Sequence, residues 1–391
     1  MVVLSNNDGC IVARSKEAKA LQIPDLQAYF KLKPFLDQQG VHVFSSNYEL
    51  YADISSRVVD VLGDYAPDLE VYSIDESFLL LDGLQSDYYQ YGLDIKNAIW
   101  RNVRMPVCVG IAPTKTLSKL ANHIAKKSNK LNGSCVIDKI DRWHEVFKKL
   151  PVSKVWGVGR RLSKRLAADG IYSVYDLKKA NQHMIDTQYS INLARTVCEL
   201  NGERCLALES QPPAKKQIYS TRSFGQKVYC LQGLNQAVSQ HVTTAMEKLR
   251  KQHGLVKTIQ VFIETSRFSN TPIHRSYVIK LPSATNDTSI VICAVKKTVG
   301  LMYLPNQPYA KAGVGLLEVI PEQHSQLSLL HQGQTAKSAL LMDVIDSINQ
   351  SGVGRVSFAS SGIDPFWKMQ RQFKSPAYTT RLDELVCVKL N

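Results

Sequence analysis

The sequence lacks the segments that would send it into or across a membrane. No apolar run approaches the roughly twenty residues that span a bilayer. Residues 1–8 carry no basic stretch and turn polar too early for a secretory signal peptide. We therefore expect a cytoplasmic protein with no membrane partner.

Cysteine and histidine are present, but without the spacing that metal and disulfide sites use. The eight cysteines form no C-x-x-C pair, and the nine histidines are also dispersed. This spacing indicates neither a disulfide framework nor a zinc cluster. We expect reduced thiols, most of them buried.

Acidic residues are scarce relative to basic ones. The 34 Asp and Glu residues stand against 48 Lys and Arg residues, and the formal net charge is +14. Such an excess favours a polyanionic partner, chiefly nucleic acid, because each Lys or Arg placed on a phosphate releases a condensed counterion. Charge alone does not separate a nucleic-acid-binding protein from other basic proteins.

The order of predicted elements indicates a multidomain α+β protein, and 391 residues suit two to four domains. Helices and short strands alternate through residues 1–140, and residues 141–205 are helical with short loops. An extended basic linker follows, and the chain ends in a polar tail with one or two short helices. Between linker and tail the predicted order is β-α-β-β-α-β, with elements at 217–228, 231–253, 257–265, 275–281, 286–303 and 309–320.

Two adjacent acids, Asp75 and Glu76, interrupt the apolar β segment Tyr72–Phe78. Neighbouring residues of a regular strand face opposite ways, so both acids can share a site only at a turn or a distorted edge. Oxygen ligands at such a turn would suit Mg²⁺. The alternative is a hairpin turn with two solvated acids and no bound ion.

A glycine hairpin, Gly157-Val158-Gly159, precedes a basic predicted helix. A G-x-G turn ahead of a helix points backbone N–H groups at an anion, which is the helix-hairpin-helix pattern for holding a DNA phosphate without reading sequence. The alternative is a glycine turn between packed helices. The basic side chains that favour DNA are those of Arg160, Arg161, Lys164 and Arg165.

Residues 114–127 predict an amphipathic helix capped by Thr114. Its core face carries Leu117, Leu120, Ala121 and Ile124. Its other face carries a basic stripe made of Lys115, Lys119, Asn122 and Lys126. Solvated lysines are the default interpretation of such a stripe.

Taken together, these segments resemble the Y family of translesion DNA polymerases, and within it the UmuC branch, the catalytic subunits of DNA polymerase V. The likeness extends over nearly the whole chain. It rests on the segments 5–14, 44–53, 72–78, 109–120, 156–161, 221–225 and 378–381.

The resemblance implies a right-hand polymerase fold with fingers, palm, a helical thumb containing the helix-hairpin-helix, and a β-α-β-β-α-β little finger. The implied ranges are 1–67 for the fingers with a remnant of a palm strand, 68–140 for the palm, 141–205 for the thumb, 206–216 for the linker, 217–320 for the little finger and 321–391 for the clamp-binding and C-terminal tail.

The resemblance also implies error-prone translesion synthesis in the SOS response to DNA damage, by template-directed nucleotidyl transfer to a primer-template DNA. Asp75 and Glu76 match the second and third catalytic acids, which bind Mg²⁺. Lys19, Tyr48 and Lys126 match positions around the incoming dNTP. The DNA-binding positions, including one beyond the linker, are Gly157, Gly159, Arg160, Arg161, Lys164 and Arg222.

The sequence departs from that family at its start. Family members begin with a strand carrying D-x-N-x-F-Y, whose Asp ligates both metals and whose aromatic residue excludes ribonucleotides. The 391 residues start at Met1 inside the following strand, and no later segment replaces the motif. We therefore expect negligible primer extension by these residues alone. The alternative function is that of an N-terminally truncated, catalytically impaired homologue that binds primer-template DNA and the sliding clamp.

Residues 326–330 resemble the Q-L-x-L-F peptide with which such polymerases bind the sliding clamp. The last position is Leu where the family prefers an aromatic residue, and a chance Gln-Leu segment is the alternative. The resemblance further implies a UmuD-like dimer and a RecA-like filament as partners. The clamp-binding residues are Gln326, Leu327, Leu329 and Leu330.

Overall fold

The computed structural model describes residues 1–84, 86–324, 334–351, 354–363, 365–385 and 387. They divide into two compact units. The first combines Met1–Asn47 with Pro213–Pro376, and the second combines Tyr48–Pro212 with a segment that starts at Ala377. The finer division into palm, fingers, thumb and little finger stays a prediction.

The N-terminal part of the first unit is built on a short buried strand. This strand, β1 (Val2–Leu4), lies between β2 (Ile11–Arg14), which is antiparallel to it, and β3 (Val43–Ser45), which is parallel. Helices α1 (Lys16–Ala20) and α2 (Tyr29–Gln38) complete this part. Apolar side chains of these strands and helices form its core.

The second unit begins with a helix–strand alternation, as predicted, but its strands form two separate small sheets. β4 (Leu69–Val71) and β5 (Ser77–Leu79) form an antiparallel hairpin, whereas β6 (Val109–Ile111) and β7 (Ser134–Val136) pair in parallel. The helices of this part are α3 (Tyr48–Gly63), α4 (Tyr88–Val103) and α5 (Lys115–Lys127).

Helix α5 packs closely against β6, and a glycine makes that approach possible. A Cβ at Gly110 would lie 2.2 Å from the Asn122 backbone nitrogen and 2.3 Å from the Ser118 carbonyl oxygen. The predicted cap is confirmed, because the Thr114 side chain accepts from Leu117 N. The predicted core face of α5 is also buried.

A cluster of short helices continues the second unit. Their apolar faces pack on α5 in one core. The helices are α6 (His144–Lys149), α7 (Arg160–Ala168), α8 (Val174–Lys179), α9 (Gln182–Gln188) and α10 (Ile191–Leu200). This confirms the helical pattern expected from the sequence.

The C-terminal part of the first unit has the predicted β-α-β-β-α-β order. Its sheet has the strand order β10-β9-β11-β8, and α11 and α12 pack against it around one apolar core. A two-residue strand, β12 (Ile320–Pro321), pairs antiparallel with the first residues of β9. The elements are β8 (Ile218–Val228), α11 (Leu231–Lys251), β9 (Gly254–Thr265), β10 (His274–Thr285), α12 (Thr288–Met302) and β11 (Tyr309–Leu317). No helix in the described ranges is long and apolar enough to cross a bilayer.

One long helix lies in the segment for which we expected only short ones. Helix α13 (Ala336–Gln350) has 15 residues and is capped by Thr335. A buried ion pair holds it to α11: Asp346 accepts from Arg250 Nε at 2.6 Å and Nη2 at 2.8 Å. The side chains of Arg250 and Asp346 are only 6% and 15% exposed. This long-range contact, invisible to local sequence patterns, stabilises the helix.

We predict that Asp346→Ala lowers the free energy of unfolding of the first unit by about 3 kcal/mol, because it leaves the buried Arg250 guanidinium without its counter-charge. Urea denaturation measures the change. Asp343→Ala, at an exposed position of the same helix, is the control and should cost under about 0.5 kcal/mol. Equal effects of the two substitutions would contradict the anchoring role of the ion pair.

Candidate active site and nucleic-acid interface

The two adjacent acids lie in the loop of the β4–β5 hairpin. The Tyr72 and Ser73 backbone N–H groups both donate to the Glu76 carbonyl, at 3.1 and 3.0 Å, and close the loop. Asp75 and Glu76 are both exposed there, and the Ser73 hydroxyl donates to Asp75 Oδ1 at 2.7 Å. The turn therefore frees the two carboxylates from the opposite-face geometry of a regular strand.

Glu76 is paired with a lysine that lies among aromatic rings. Lys119 Nζ donates to Glu76 Oε2 at 2.7 Å. The same nitrogen lies 4.4 Å from the ring centroid of Tyr72, 4.8 Å from that of Trp156 and 6.0 Å from that of Phe78. The Lys119 side chain is 20% exposed, against 47% for Glu76. The expectation of a solvated lysine is wrong at this position, because the aromatic faces and the carboxylate replace water around the ammonium.

The three rings around Lys119 connect the acidic hairpin to the glycine hairpin within the second unit. The Tyr72 and Trp156 rings meet edge to face at 5.3 Å, and Trp156 Nε1 donates to the Tyr72 hydroxyl at 3.3 Å. The ring centroids of Phe78 and Trp156 lie 5.9 Å apart. Trp156 directly precedes Gly157, so the segment proposed to hold DNA is packed against the segment that presents the acids.

Lys115, one turn before Lys119 on α5, is also bound rather than solvated. It forms an ion pair with Glu70 of β4, and both side chains are nearly buried. Its Nζ also donates to the Ala207 carbonyl at 2.7 Å. Glu70 in turn accepts from the Glu209 N–H at 2.7 Å. Lys115 and Lys119 together fasten both strands of the acidic hairpin to α5.

The glycine hairpin leads directly into the start of α7. Gly157 has φ +86°, which favours glycine because it lacks a Cβ, and Gly159 caps the start of α7. Both glycines are exposed. The first N–H groups of a helix point outward without internal partners, so they can donate hydrogen bonds to a phosphate. The side chains that surround this end and are exposed are those of Arg160, Arg161 and Lys164.

The remaining predicted residues that the structure describes are exposed, and they fall in both units. Lys19 lies on α1 and Arg222 on β8, both in the first unit. Tyr48 is the first residue of α3, edge-on to Tyr51 at 6.1 Å. Lys126 lies in the last turn of α5, two turns or roughly 10 Å beyond Lys119 on the same face. The clamp-binding residues lie outside the described residues.

Sequence reasoning missed the aromatic residues around Lys119 as members of the site. A usable signal was present, because Tyr72 and Phe78 flank the two acids directly. The expectation that most thiols are buried is wrong. Of the eight thiols only those of Cys135 and Cys198 are buried, and Cys230, Cys293 and Cys387 are exposed. Cys230 serves as the polar N-cap of α11, accepting from the Gly233 N–H at 3.4 Å.

Comparison with known proteins covers most of the chain. Residues 1–123 match the model of the impB/mucB/samB family, residues 215–329 match its C-terminal domain, and residues 339–388 match a domain of unknown function, DUF4113. Protein UmuC of Salmonella typhimurium is 42% identical over 100% of this chain and 94% of its own length. Protein SamB of the same species is 40% identical with the same coverage.

Solved structures confirm the predicted right-hand α+β fold. A Y-family DNA polymerase chimera, Dbh-Dpo4(243-245)-Dbh, superposes with a TM-score of 0.62 and 18% sequence identity. The match covers 82% of this chain and 92% of the chimera. At this identity the likeness establishes the fold, and the chemistry depends on the residues of the site.

We predict that Lys119→Met lowers the free energy of unfolding of the second unit by about 1–2 kcal/mol, because it removes a partly desolvated cation–π and ion-pair partner. A double-mutant cycle with Trp156→Leu should give a coupling of about 1 kcal/mol. Lys126→Met, an exposed lysine on the same helical face, is the control and should change stability by under about 0.5 kcal/mol. Additive effects of Lys119→Met and Trp156→Leu would rule out the contact.

Proposed function

The chain belongs to the impB/mucB/samB family of Y-family DNA polymerases, and on that premise we propose that it is a DNA-directed DNA polymerase that extends primers past damaged template bases with low fidelity. The observation that carries this proposal is the hairpin turn that exposes Asp75 and Glu76 side by side. Both carboxylates are open to solvent on this turn, as a site that receives a primer end and a nucleotide requires.

The donor set of the acidic hairpin fits Mg²⁺. Asp75 and Glu76 offer hard carboxylate oxygens on an exposed turn, with room for the water and phosphate ligands that Mg²⁺ keeps. These two residues would hold the metal. When bound, Mg²⁺ neutralises phosphate charge and activates the primer hydroxyl in phosphoryl transfer.

The side chains near the turn hold the acids in position and neutralise negative charge. Lys119 holds the Glu76 carboxylate. The aromatic rings around Lys119 keep its ammonium group from rotating out into the solvent. We assign Lys126 to the triphosphate of the incoming dNTP, because it is exposed on the same face of α5. Tyr48 and Lys19 stay assigned to the dNTP by resemblance.

DNA binding is proposed to rest on phosphate contacts. Gly157 and Gly159 shape the N-terminus of α7, whose free N–H groups and basic side chains suit a backbone phosphate. Arg222, exposed on β8, is a second candidate contact. With a net charge of +14, the affinity for primer-template should depend strongly on salt and little on sequence.

We predict that Asp75→Asn and Glu76→Gln each reduce primer extension by at least about 10²-fold, because each removes a metal-binding charge from the transition state. The assay protein is the chain joined to an N-terminal strand carrying D-x-N-x-F-Y, since the resemblance assigns the first catalytic acid to that strand.

Asp60→Asn, at an exposed position of α3, is the matched control and should extend primers normally. DNA affinity should change by less than about twofold in all three variants, since none removes a phosphate-binding cation. Extension that survives Asp75→Asn would refute the assignment of the site.

We further propose that the enzyme acts in the SOS response, with the sliding clamp, a UmuD-like dimer and a RecA-like filament as partners. This proposal is supported by the family and by the peptide Gln326–Leu330. In the clamp contact, the apolar side chains of that peptide would fill a pocket on the clamp surface.

Replacing both Leu327 and Leu329 with Ala should weaken binding to the bacterial sliding clamp by at least about tenfold, because each buried leucine contributes about 1.5–3 kcal/mol. Surface plasmon resonance against immobilised clamp measures the loss. The control pair, Leu340→Ala with Leu341→Ala, removes two leucines that are exposed on α13. If the control pair loses clamp binding and the Leu327 and Leu329 variant keeps it, the contact lies on that helix.

A further inference from the structure

The end of α10 brings together three side chains that DNA synthesis does not use. The ligand atoms of Cys198, Glu203 and Cys205 all lie within 4.8 Å of one another. Within the described ranges this is the one group of three or more His, Cys, Asp and Glu side chains close enough to share an ion. Cys198 is buried, Cys205 is half-buried and Glu203 is exposed, so the group opens to solvent on one side.

The way in which α10 ends explains the first contact. Gly202, at φ +92°, terminates the helix; its N–H donates to the Glu199 carbonyl at 3.0 Å, and the Glu203 N–H donates to the Cys198 carbonyl at 3.1 Å. This pair of bonds defines a Schellman motif, in which the side chains at the positions of Cys198 and Glu203 normally meet in an apolar contact. Here a thiol and a carboxylate occupy those positions.

Cys205 is held in place by a second set of contacts. Glu199, fully buried, accepts from the Cys205 N–H at 3.2 Å and from the Leu206 N–H at 3.0 Å. Arg204, between the two ligand positions, donates to both carboxylate oxygens of Asp82, at 2.7 and 2.9 Å. The backbone that carries Glu203 and Cys205 is therefore fixed on both sides before any ligand binds.

We propose that Cys198, Glu203 and Cys205 form a binding site for Zn²⁺. Two sulfur ligands and one carboxylate oxygen match the N, S and O donors that Zn²⁺ takes in tetrahedral sites, with a water molecule as the fourth ligand on the exposed side. Mg²⁺ is disfavoured, because it requires about six oxygen ligands in an octahedron.

Zn²⁺ takes cysteine in its thiolate form, so binding releases the thiol protons of Cys198 and Cys205. The bound ion would tie the end of α10 to the segment that leads into the linker.

Co²⁺ titration of the full chain, with all thiols reduced, tests the proposal independently of polymerase activity. We expect one equivalent of Co²⁺ to give a sulfur-to-cobalt charge-transfer band and the visible bands of a tetrahedral ion, both abolished by one equivalent of Zn²⁺. Cys205→Ser should halve the charge-transfer band and weaken binding at least about tenfold. Cys293→Ser, an exposed cysteine on α12, is the control and should bind normally.

Two further measurements separate binding from folding. Glu203→Gln changes an exposed side chain, so it should leave the Tm without metal unchanged while it weakens Zn²⁺ binding. Zn²⁺ should raise the Tm of the unsubstituted chain and not that of Cys205→Ser, and Mg²⁺ should raise neither. Absence of the charge-transfer band at one equivalent of Co²⁺, or a band of undiminished intensity in Cys205→Ser, would overturn the proposal.

Discussion

A buried carboxylate fixes the first turn of α5, and the candidate active site depends on that turn. Glu199 is fully buried and accepts from the Thr116 backbone N–H at 2.9 Å and from the Thr116 hydroxyl at 2.7 Å, while its other oxygen accepts from two N–H groups of residues 205 and 206. Burying a carboxylate is tolerated only with such donors. The positive end of the helix dipole at α5 adds to the attraction.

The lysines that follow on α5 carry this constraint to the acidic hairpin. Lys115 pairs with Glu70 on one strand, and Lys119 pairs with Glu76 beside the other. The hairpin therefore takes its position from α5 rather than from a broad sheet. Lys119 also competes with any metal for Glu76, so metal binding must either displace this ion pair or share the carboxylate with it.

Local patterns predicted the elements well, and contacts distant in sequence account for what they missed. The apolar periodicity of α5 and the β-α-β-β-α-β order depend on neighbouring residues, and both are confirmed. The surroundings of Lys119 depend on Trp156 and Glu76, each far away in sequence. The Cys198–Cys205 pair escaped notice because C-x-x-C spacing does not describe a helix end, where a Schellman turn brings more widely spaced residues together. The length of α13 was underestimated because the residue that anchors it, Arg250, lies on α11.

We propose that Asp75 and Glu76 form the metal-binding turn of the polymerase, and that α5 positions the hairpin that carries them. The decisive experiment is a crystal structure of the chain preceded by the D-x-N-x-F-Y strand, with primer-template DNA, a non-hydrolysable dNTP and Mn²⁺. The anomalous signal of Mn²⁺ locates the metal without assumptions about the protein ligands. We predict that Mn²⁺ is coordinated by the carboxylates of Asp75 and Glu76 and by the triphosphate. Mn²⁺ bound to the triphosphate by other side chains, with Glu76 still held only by Lys119, would contradict it.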